Sequence, residues 1–410
     1  MTQTDIERYV TGPHRYRNGA TMFQHADPGW QAAADHGLLD IRVDAGPANS
    51  HLVLETGHQF INMCSCAYLG LNCHPAVIEG GIQALREAGT TSPSISPVRV
   101  GLNLLHQLEE ELGDLFGAPA VSGLSCSVLT AGILPLVAAG LLAPGGPRVM
   151  VFDRYCHFSM NYIKPICADE SLVLTCDHND LEALEDICRR YPSVAYVCDG
   201  AYSMGGAAAL EGLLELQERY GLFLYLDDSH SLSIMGEHGE GLIRSHLSMN
   251  ELTLIVASLS KGFGTAGAVA MLGDPRQRTL LARHAGPLTW SQEMSVPMIG
   301  ASLASAAIHR SAELGELQRQ LQDNVAYFDE LLPTPLAGNQ LPVRRINLGE
   351  TERAVRLSGE LYRRGFYCSA VFFPIVAKGA AGLRIMLRAD LTRDQLTSLA
   401  GHIHELTDQL

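Results

Sequence analysis

The chain has 410 residues, enough for two or three packed domains, and its 47% hydrophobic and 18% charged content marks a compact globule. A formal charge of −15 argues against a nucleic-acid surface and for a soluble protein acting on small molecules. No secretory leader precedes the ten cysteines, so a reducing, cytoplasmic setting is expected, with most thiols acting as small buried hydrophobes. The stretch to about Phe60 has scattered Gly and Pro and little periodicity, which predicts an irregular N-terminal arm over 1–60. "AVIEGGIQALREAG" and "LLHQLEEELGDLFG" then carry helical spacing. The apolar run Leu129–Leu142 is too short to span a membrane, which takes about 20 residues, and Pro135 interrupts it. Short β-rich runs follow: "RVMVF", "LVLTC", "SVAYVC", "LFLYLD", "TLIVAS" and "AVAML". Helical segments such as "LEALEDICRRY" and "LLELQERYG" separate several of them. This rhythm predicts an α/β domain with a largely parallel sheet, here placed over 61–288. "MIGASLASAAIHRSAELGELQRQLQDNVAYFDELL" reads as long helix leading into a smaller C-terminal α+β domain over 289–410. That domain holds "VRRINLG", "GFYCSAVFF" and "LRIML" as strands and ends in the helix "TRDQLTSLAGHIHELTDQL".

Only three lysines occur, Lys164, Lys261 and Lys378, and Lys261 sits among apolar, small and hydroxyl residues in "LIVASLSKGFGTAGAVAML". A lysine there is costly to keep charged, so it is expected to be neutralised, paired or covalently used, unless it snorkels from a loop. Asp227 ends an apolar strand, with Asp228 and His230 just beyond; a carboxylate so placed wants a cationic partner. "GLSCSVLTAGIL" puts small polar residues at a strand-to-helix junction, where exposed N–H groups bind anions. His157 follows "RVMVF", and Asp199 and Ser203 follow "SVAYVC". A lysine, a strand-end aspartate, a histidine and a phosphate cradle together match pyridoxal phosphate. Its aldehyde condenses with lysine, its ring nitrogen needs an acid and its phosphate needs N–H and hydroxyl donors. Cys64, Cys66, Cys73 and His74 lack a second pair at zinc spacing, so no metal is expected.

The chain resembles the α-oxoamine synthase family of fold type I pyridoxal phosphate enzymes, which includes 8-amino-7-oxononanoate synthase and serine palmitoyltransferase. The resemblance runs from about Phe60 to the C-terminus, through "FINMCSCAYLGLNCHPAVIEGGIQAL", "LDDSHSLSIMGEHGEGL", "SLSKGFGTAGA" and "GLRIMLRADLT". It implies a fold type I, aspartate aminotransferase-like architecture and a homodimer with shared active sites. It implies Lys261 as the cofactor-bonded lysine and later the α-proton carrier, and Asp227 against the ring nitrogen. It also implies His230 on the phenolic oxygen and His157 on the ring face. Cys126 and Ser127, with Ser203 and Ser258, would hold the phosphate, and Arg384 the substrate carboxylate, a bidentate task suited to guanidinium. "LTWSQEMSVP" matches the segment that reaches the partner's phosphate, which makes Gln292 a cofactor contact in the neighbouring subunit.

Four departures qualify the resemblance. Cys66-Ala67 stands where the family has a carboxylate-binding asparagine. Leu129-Thr130 replaces an Ala-Asn pair, and Ser291-Gln292 a Ser-Thr pair. "TTSPSISPVRV", with Pro93 and Pro97, replaces a glycine-rich stretch near the acyl-thioester entrance. The cofactor half of the site is kept and the co-substrate half rewritten. The family default is decarboxylative condensation of an amino acid with an acyl thioester such as acyl-CoA, giving an α-aminoketone. A second reading draws on resemblance to the quorum-sensing aminoketone autoinducer synthase. That enzyme can take S-adenosylmethionine as its amino substrate; on this reading the present chain eliminates methylthioadenosine from S-adenosylmethionine at the γ-carbon, and the resulting carbon nucleophile attacks another electrophile, such as the nicotinamide ring of NAD. A lysine-less scaffold role and simple transamination are disfavoured by Lys261, Asp227, His230 and the "SLSKGFG" context. No nucleic-acid or membrane partner is expected.

Overall fold

The computed structural model describes residues 18–45, 50–53 and 55–409. Fourteen strands are assigned there. In chain order they are β1 (Asp44–Ala45), β2 (Ser50–Val53), β3 (His58–Asn62), β4 (Ala120–Gly123), β5 (Val149–Asp153), β6 (Val173–Cys176) and β7 (Val194–Asp199). There follow β8 (Phe223–Asp227), β9 (Thr253–Ser258), β10 (Ala268–Leu272), β11 (Val343–Gly349), β12 (Phe366–Tyr367), β13 (Ser369–Val371) and β14 (Ala381–Met386). The chain clusters into two compact units. One joins the described part of Met1–Cys64 to Arg345–Ile385 and Thr397–Leu410; the other joins Ser65–Arg344 to Met386–Leu396.

The second unit is built on a seven-stranded sheet in the order β4-β10-β9-β8-β7-β5-β6. Strands β6, β5, β7, β8 and β9 run parallel, and only β10 is reversed against its neighbours β9 and β4. A parallel sheet covered on both faces needs apolar side chains on both, which is why these strands read as unbroken apolar runs. Val151, Tyr196, Leu224, Leu226 and Ile255 point into one core with helices Asn103–Phe116 and Leu210–Tyr220. Their neighbours Met150, Phe152, Ala195, Val197, Tyr225 and Val256 point into the other with helix Cys126–Ala138. That helix is apolar all round because it is buried; Leu129, Ile133 and Leu134 are fully enclosed. No described helix is long and apolar enough to cross a membrane. The expected long helix after Met298 divides into Val296–His309 and Ala312–Leu331, because Ser311 accepts the Glu313 N–H and caps a new start.

Helix Pro75–Ala88 lies against Val296–His309 at backbone distance. A Cβ on Gly80 would come within 2.6 Å of Ala304 Cβ, and one on Gly300 within 2.3 Å of Ala84 Cβ, so only glycine permits the approach.

The first unit holds a four-stranded sheet, β1-β2-β3-β12, in which β3 and β12 pair in parallel, and the β13–β14 antiparallel pair. The N-terminal stretch expected to be irregular therefore carries helix Asn18–Asp35 and three strands. Its helix contains Pro28 and only weak periodicity, which hides it in sequence. Trp30 meets Phe372 edge-on at 5.3 Å, and Tyr367 donates from its hydroxyl to Leu38 O at 2.8 Å, tying the segment to the C-terminal strands of its own unit.

Candidate active site

Parallel strands that end together expose one common edge, and in such sheets ligands bind there. β5 leads to His157, β7 to Ser203, β8 to His230, β9 to Lys261 and β4 to Cys126, so five of the sequence clusters converge on that edge of the second unit. Asp199 and Asp227 are register partners across β7 and β8, and Asp227 pairs in turn with Val256 of β9. Both aspartates are buried. Burial and then the Asp227 charge push the Asp199 carboxyl well above its ordinary range, while the His157 N–H and the Lys261 charge pull it back. The same carboxylate accepts the His157 backbone N–H at 2.8 Å, which fixes where that histidine leaves the chain. The His157 ring is exposed and caps helix Phe158–Asn161, its Nδ1 accepting the Ser159 N–H at 3.3 Å.

Lys261 lies half-buried in the connection between β9 and the reversed β10. Its carbonyl accepts the Gly264 N–H at 3.1 Å, closing a tight turn. Gly264 has φ +78°, and a Cβ there would sit 2.4 Å from Leu71 Cβ and 2.6 Å from Asn72 N; the lysine loop is pressed onto the "YLGLN" segment. Lys164 and Lys378 differ in setting. Lys164 rests 4.9 Å over the Phe152 ring and donates to Thr175 Oγ1, and burial lowers its affinity for a proton. Lys378 lies 5.2 Å over the Phe373 ring, in the first unit.

Ser229 ties three clusters together, a role that no local pattern signals. Its N–H donates to Asp227 Oδ1 at 2.9 Å, its Oγ accepts the Ser258 N–H at 2.8 Å, and the same Oγ meets Cys126 Sγ at 3.4 Å. Cys126 opens helix Cys126–Ala138, whose N-cap Ser125 accepts the Val128 N–H. Ser127 is exposed beside it, and Ser258 Oγ lies 2.7 Å from Ser260 Oγ. Burial, then the Asp227 charge, pushes the Cys126 thiol far up, so it stays protonated and its place in the site is steric and through its backbone. Ser203 is half-buried in the turn after β7.

Asp228, one residue from Asp227, faces elsewhere. Its carboxylate takes the Ser231 hydroxyl and, at 3.0 Å, the Ile243 N–H, while Ser231 Oγ accepts from Leu242 N at 2.7 Å. It clamps the loop that presents His230. Burial raises its pKa to about 6 against those hydrogen bonds. His230 is buried, with Nδ1 2.6 Å from the hydroxyl of Tyr68, a residue of the quoted "YLGL" segment whose bond to it no local pattern signals.

Cys66, Gln292 and Arg384 complete the expected set. Cys66 is half-buried, its carbonyl accepting the Tyr68 N–H at 2.8 Å. Gln292 is exposed in the segment before helix Val296–His309. Thr91 O accepts the Val296 N–H at 3.0 Å and Arg99 lies 5.3 Å over the Trp290 ring, so two of the departing stretches pack on each other. Arg384 belongs to the first unit, on β14 opposite Ser369, and its buried Nε has no hydrogen-bond partner there. Among the described residues no group of three His, Cys, Asp or Glu side chains is placed to hold a metal ion.

This donor set fits pyridoxal phosphate: an amine on a turn, a buried carboxylate at a strand end, hydroxyls and a helix start for phosphate, and an open imidazole. The family model for aminotransferase class I and II matches residues 58–403. An 8-amino-7-oxononanoate synthase from Marinomonas sp. (strain MWYL1) is 30% identical over 351 residues, 84% of this chain and 85% of that one. Its counterpart from Alkaliphilus metalliredigens (strain QYMF) is 27% identical over 363 residues, 86% of this chain and 88% of that one. A solved structure of SPT with PLP superposes with a TM-score of 0.84 at 20% identity, covering 95% of this chain and 98% of that chain, a likeness of fold. The chain belongs to the aminotransferase class I and II family and is a pyridoxal-phosphate-dependent transferase of the α-oxoamine synthase type.

Proposed function

We propose that this enzyme condenses an amino acid with an acyl thioester, with loss of the amino acid's carboxylate as carbon dioxide, to give an α-aminoketone. The observation that carries the reading is the convergence of Lys261, Asp227, His230, His157 and the Cys126–Ser258 hydroxyl and N–H groups on one strand edge, in a chain whose relatives are named 8-amino-7-oxononanoate synthase. Pyridoxal phosphate, when bound, supplies the electron sink that stabilises negative charge at the substrate's α-carbon. Asp227, buried and fixed by the Ser229 N–H, serves to keep a proton on the ring nitrogen. Lys261 holds the cofactor and then moves the α-proton. His230 donates to the phenolic oxygen, and His157 covers the ring. The N–H groups of Cys126 and Ser127, with Ser203 and Ser258, hold phosphate, and Arg384 takes the substrate carboxylate.

A homodimer completes the proposal. Leu124, Phe158, Tyr162 and Trp290 lie within a few residues of Cys126, His157 and Gln292 in the chain and are 40–65% exposed in one copy. Large apolar side chains left open beside a site mark a surface that a partner covers. Gln292 then reaches the neighbouring subunit's phosphate. An active monomer by light scattering would contradict this.

The test pairs glycine, alanine or serine with acyl-CoA and follows free thiol and product mass. Thiol release that needs both substrates, with an α-aminoketone formed, is the expected result. Methylthioadenosine release from S-adenosylmethionine, with or without NAD and with no acyl transfer, would overturn it. The relatives named above give that alternative no support.

A further inference from the structure

We propose that Asn179, aligned by a neutral His178, is a positioning residue that holds the turn carrying Ser203 in place for the cofactor. The inference rests on the assignment of Ser203 to pyridoxal phosphate, and concerns three polar side chains, Asp153, His178 and Asn179, that this assignment leaves without a role. Ser203 sits in a small hairpin after β7. Ala201 and Ala207 face each other in an antiparallel bridge, the Tyr202 N–H donates to Gly206 O at 3.0 Å, and the Gly205 N–H donates to Tyr202 O at 2.9 Å. Asn179, in the loop after β6, grips the closing end of that hairpin. Its Nδ2 donates to Ala207 O at 3.0 Å and its Oδ1 accepts the Ala209 N–H at 3.1 Å. A backbone carbonyl only accepts and a backbone N–H only donates, so these two contacts fix which end of the amide is which.

Nδ2 has a second proton to give, and His178 Nε2 lies 3.3 Å from it. A ring nitrogen that faces a donor accepts. An imidazole keeps at least one N–H, so the His178 proton sits on Nδ1. That nitrogen lies 3.1 Å from Asp153 Oδ2, in a fully buried carboxylate at the end of β5. The same carboxylate accepts the Tyr155 N–H at 2.7 Å, the Tyr196 hydroxyl at 2.9 Å and the Asn179 N–H at 3.3 Å. The Tyr202 ring meets the His178 ring edge-on with centroids 4.5 Å apart, which sets the histidine against the hairpin itself. Asn179 has φ +56°, a left-handed conformation that asparagine tolerates and most residues resist. Its side chain bonds atoms 28 and 30 positions away, so one residue links the end of β6 to the turn after β7.

The experiment uses the full-length protein and measures the dissociation constant for pyridoxal phosphate in wild type, Asn179→Gly, Ser203→Ala and the double variant. Glycine keeps the left-handed backbone and removes only the side chain. The expected result is a rise of about tenfold in Asn179→Gly and about tenfold or more in Ser203→Ala. With Ser203 already replaced, Asn179→Gly should add less than about twofold. A residue that only stabilised the fold would give fold-changes that multiply, and multiplying effects overturn the proposal. An unchanged constant in Asn179→Gly beside a weakened Ser203→Ala overturns it too, and leaves the cofactor assignment of Ser203 standing. An unchanged constant in Ser203→Ala removes that assignment and the proposal with it. A second reading uses the wild type with ¹⁵N-labelled histidine at a mildly alkaline pH, the His178 signals being identified by their loss in His178→Asn. A directly bonded proton is expected at Nδ1 and none at Nε2; a proton at Nε2 overturns the proposal even if Asn179→Gly does not fold. None of these readings uses the acyl-transfer substrates, so failure of the proposed reaction is a separate result.

Discussion

Ser229→Ala removes one oxygen at the point where three site clusters meet. The Ser258 N–H, which Ser229 Oγ accepts at 2.8 Å, loses its acceptor, and the 3.4 Å contact to Cys126 Sγ goes with it. A buried donor left without a partner costs about 1–3 kcal/mol; Ser258 is half-buried and water relieves part of that, so about 1–2 kcal/mol is expected. The Asp227 contact survives, since it uses the Ser229 backbone N–H. The loss therefore falls on the phosphate side of the site. It should appear as a rise of about 5- to 30-fold in the dissociation constant for pyridoxal phosphate. The cofactor-free protein should melt only about 1–4 °C lower. Fluorescence titration with cofactor and a thermal melt without it measure the two effects. A dissociation constant within twofold of wild type would show that the Ser229 link does not support the cradle.

Three further outcomes follow from the same geometry. Burial lifts the folded-state pKa of Asp228 to about 6 from an ordinary 3.8, so the folded state holds its proton more tightly and loses stability as pH climbs from about 4 through 6. That is about 2 units, or about 3 kcal/mol at neutral pH relative to acid; melting curves of wild type and Asp228→Asn across this range should converge or cross as pH rises, and parallel curves would contradict the burial argument. Gly264→Ala forces a left-handed backbone on alanine and a Cβ onto Leu71, at about 1–2 kcal/mol for the backbone and about 1–3 kcal/mol for the overlap; an unchanged melting temperature and cofactor affinity would show that the Lys261 turn is not held against the "YLGLN" segment. Asp227→Asn should still bind cofactor but exchange the substrate α-proton into deuterated water at least about 100-fold more slowly, by proton NMR; near-normal exchange would pass the role to another acid.

The central sheet was legible in sequence because burial on both faces writes strands as continuous apolar runs. "TLIVAS" and "AVAML" coincide with β9 and β10 residue for residue. The helix Asn18–Asp35 was not, since it carries a proline and a weak apolar stripe. The break at Arg310–Ser311 was missed because a serine inside a helical pattern looks like any polar residue until it caps. In the site, Lys261 and Asp227 announce themselves as charges in apolar surroundings, and the structure gathers them with His157, His230 and Cys126 on one edge. Ser229 and Tyr68 give no such signal. Their partners lie 103 and 162 residues away in the chain, and a hydroxyl's role depends on the atom that folding brings to it. Which of two adjacent aspartates faces the loop clamp was likewise a matter of geometry, settled by the Ser231 and Ile243 contacts of Asp228.

The account depends above all on a covalent bond at Lys261. Purified enzyme loaded with pyridoxal phosphate is reduced with borohydride, digested and mapped by mass spectrometry. The account predicts the pyridoxyl mass on the peptide containing Lys261 and its disappearance in Lys261→Ala. Label on Lys164 or Lys378, or a Lys261→Ala protein that still takes it up, would contradict it.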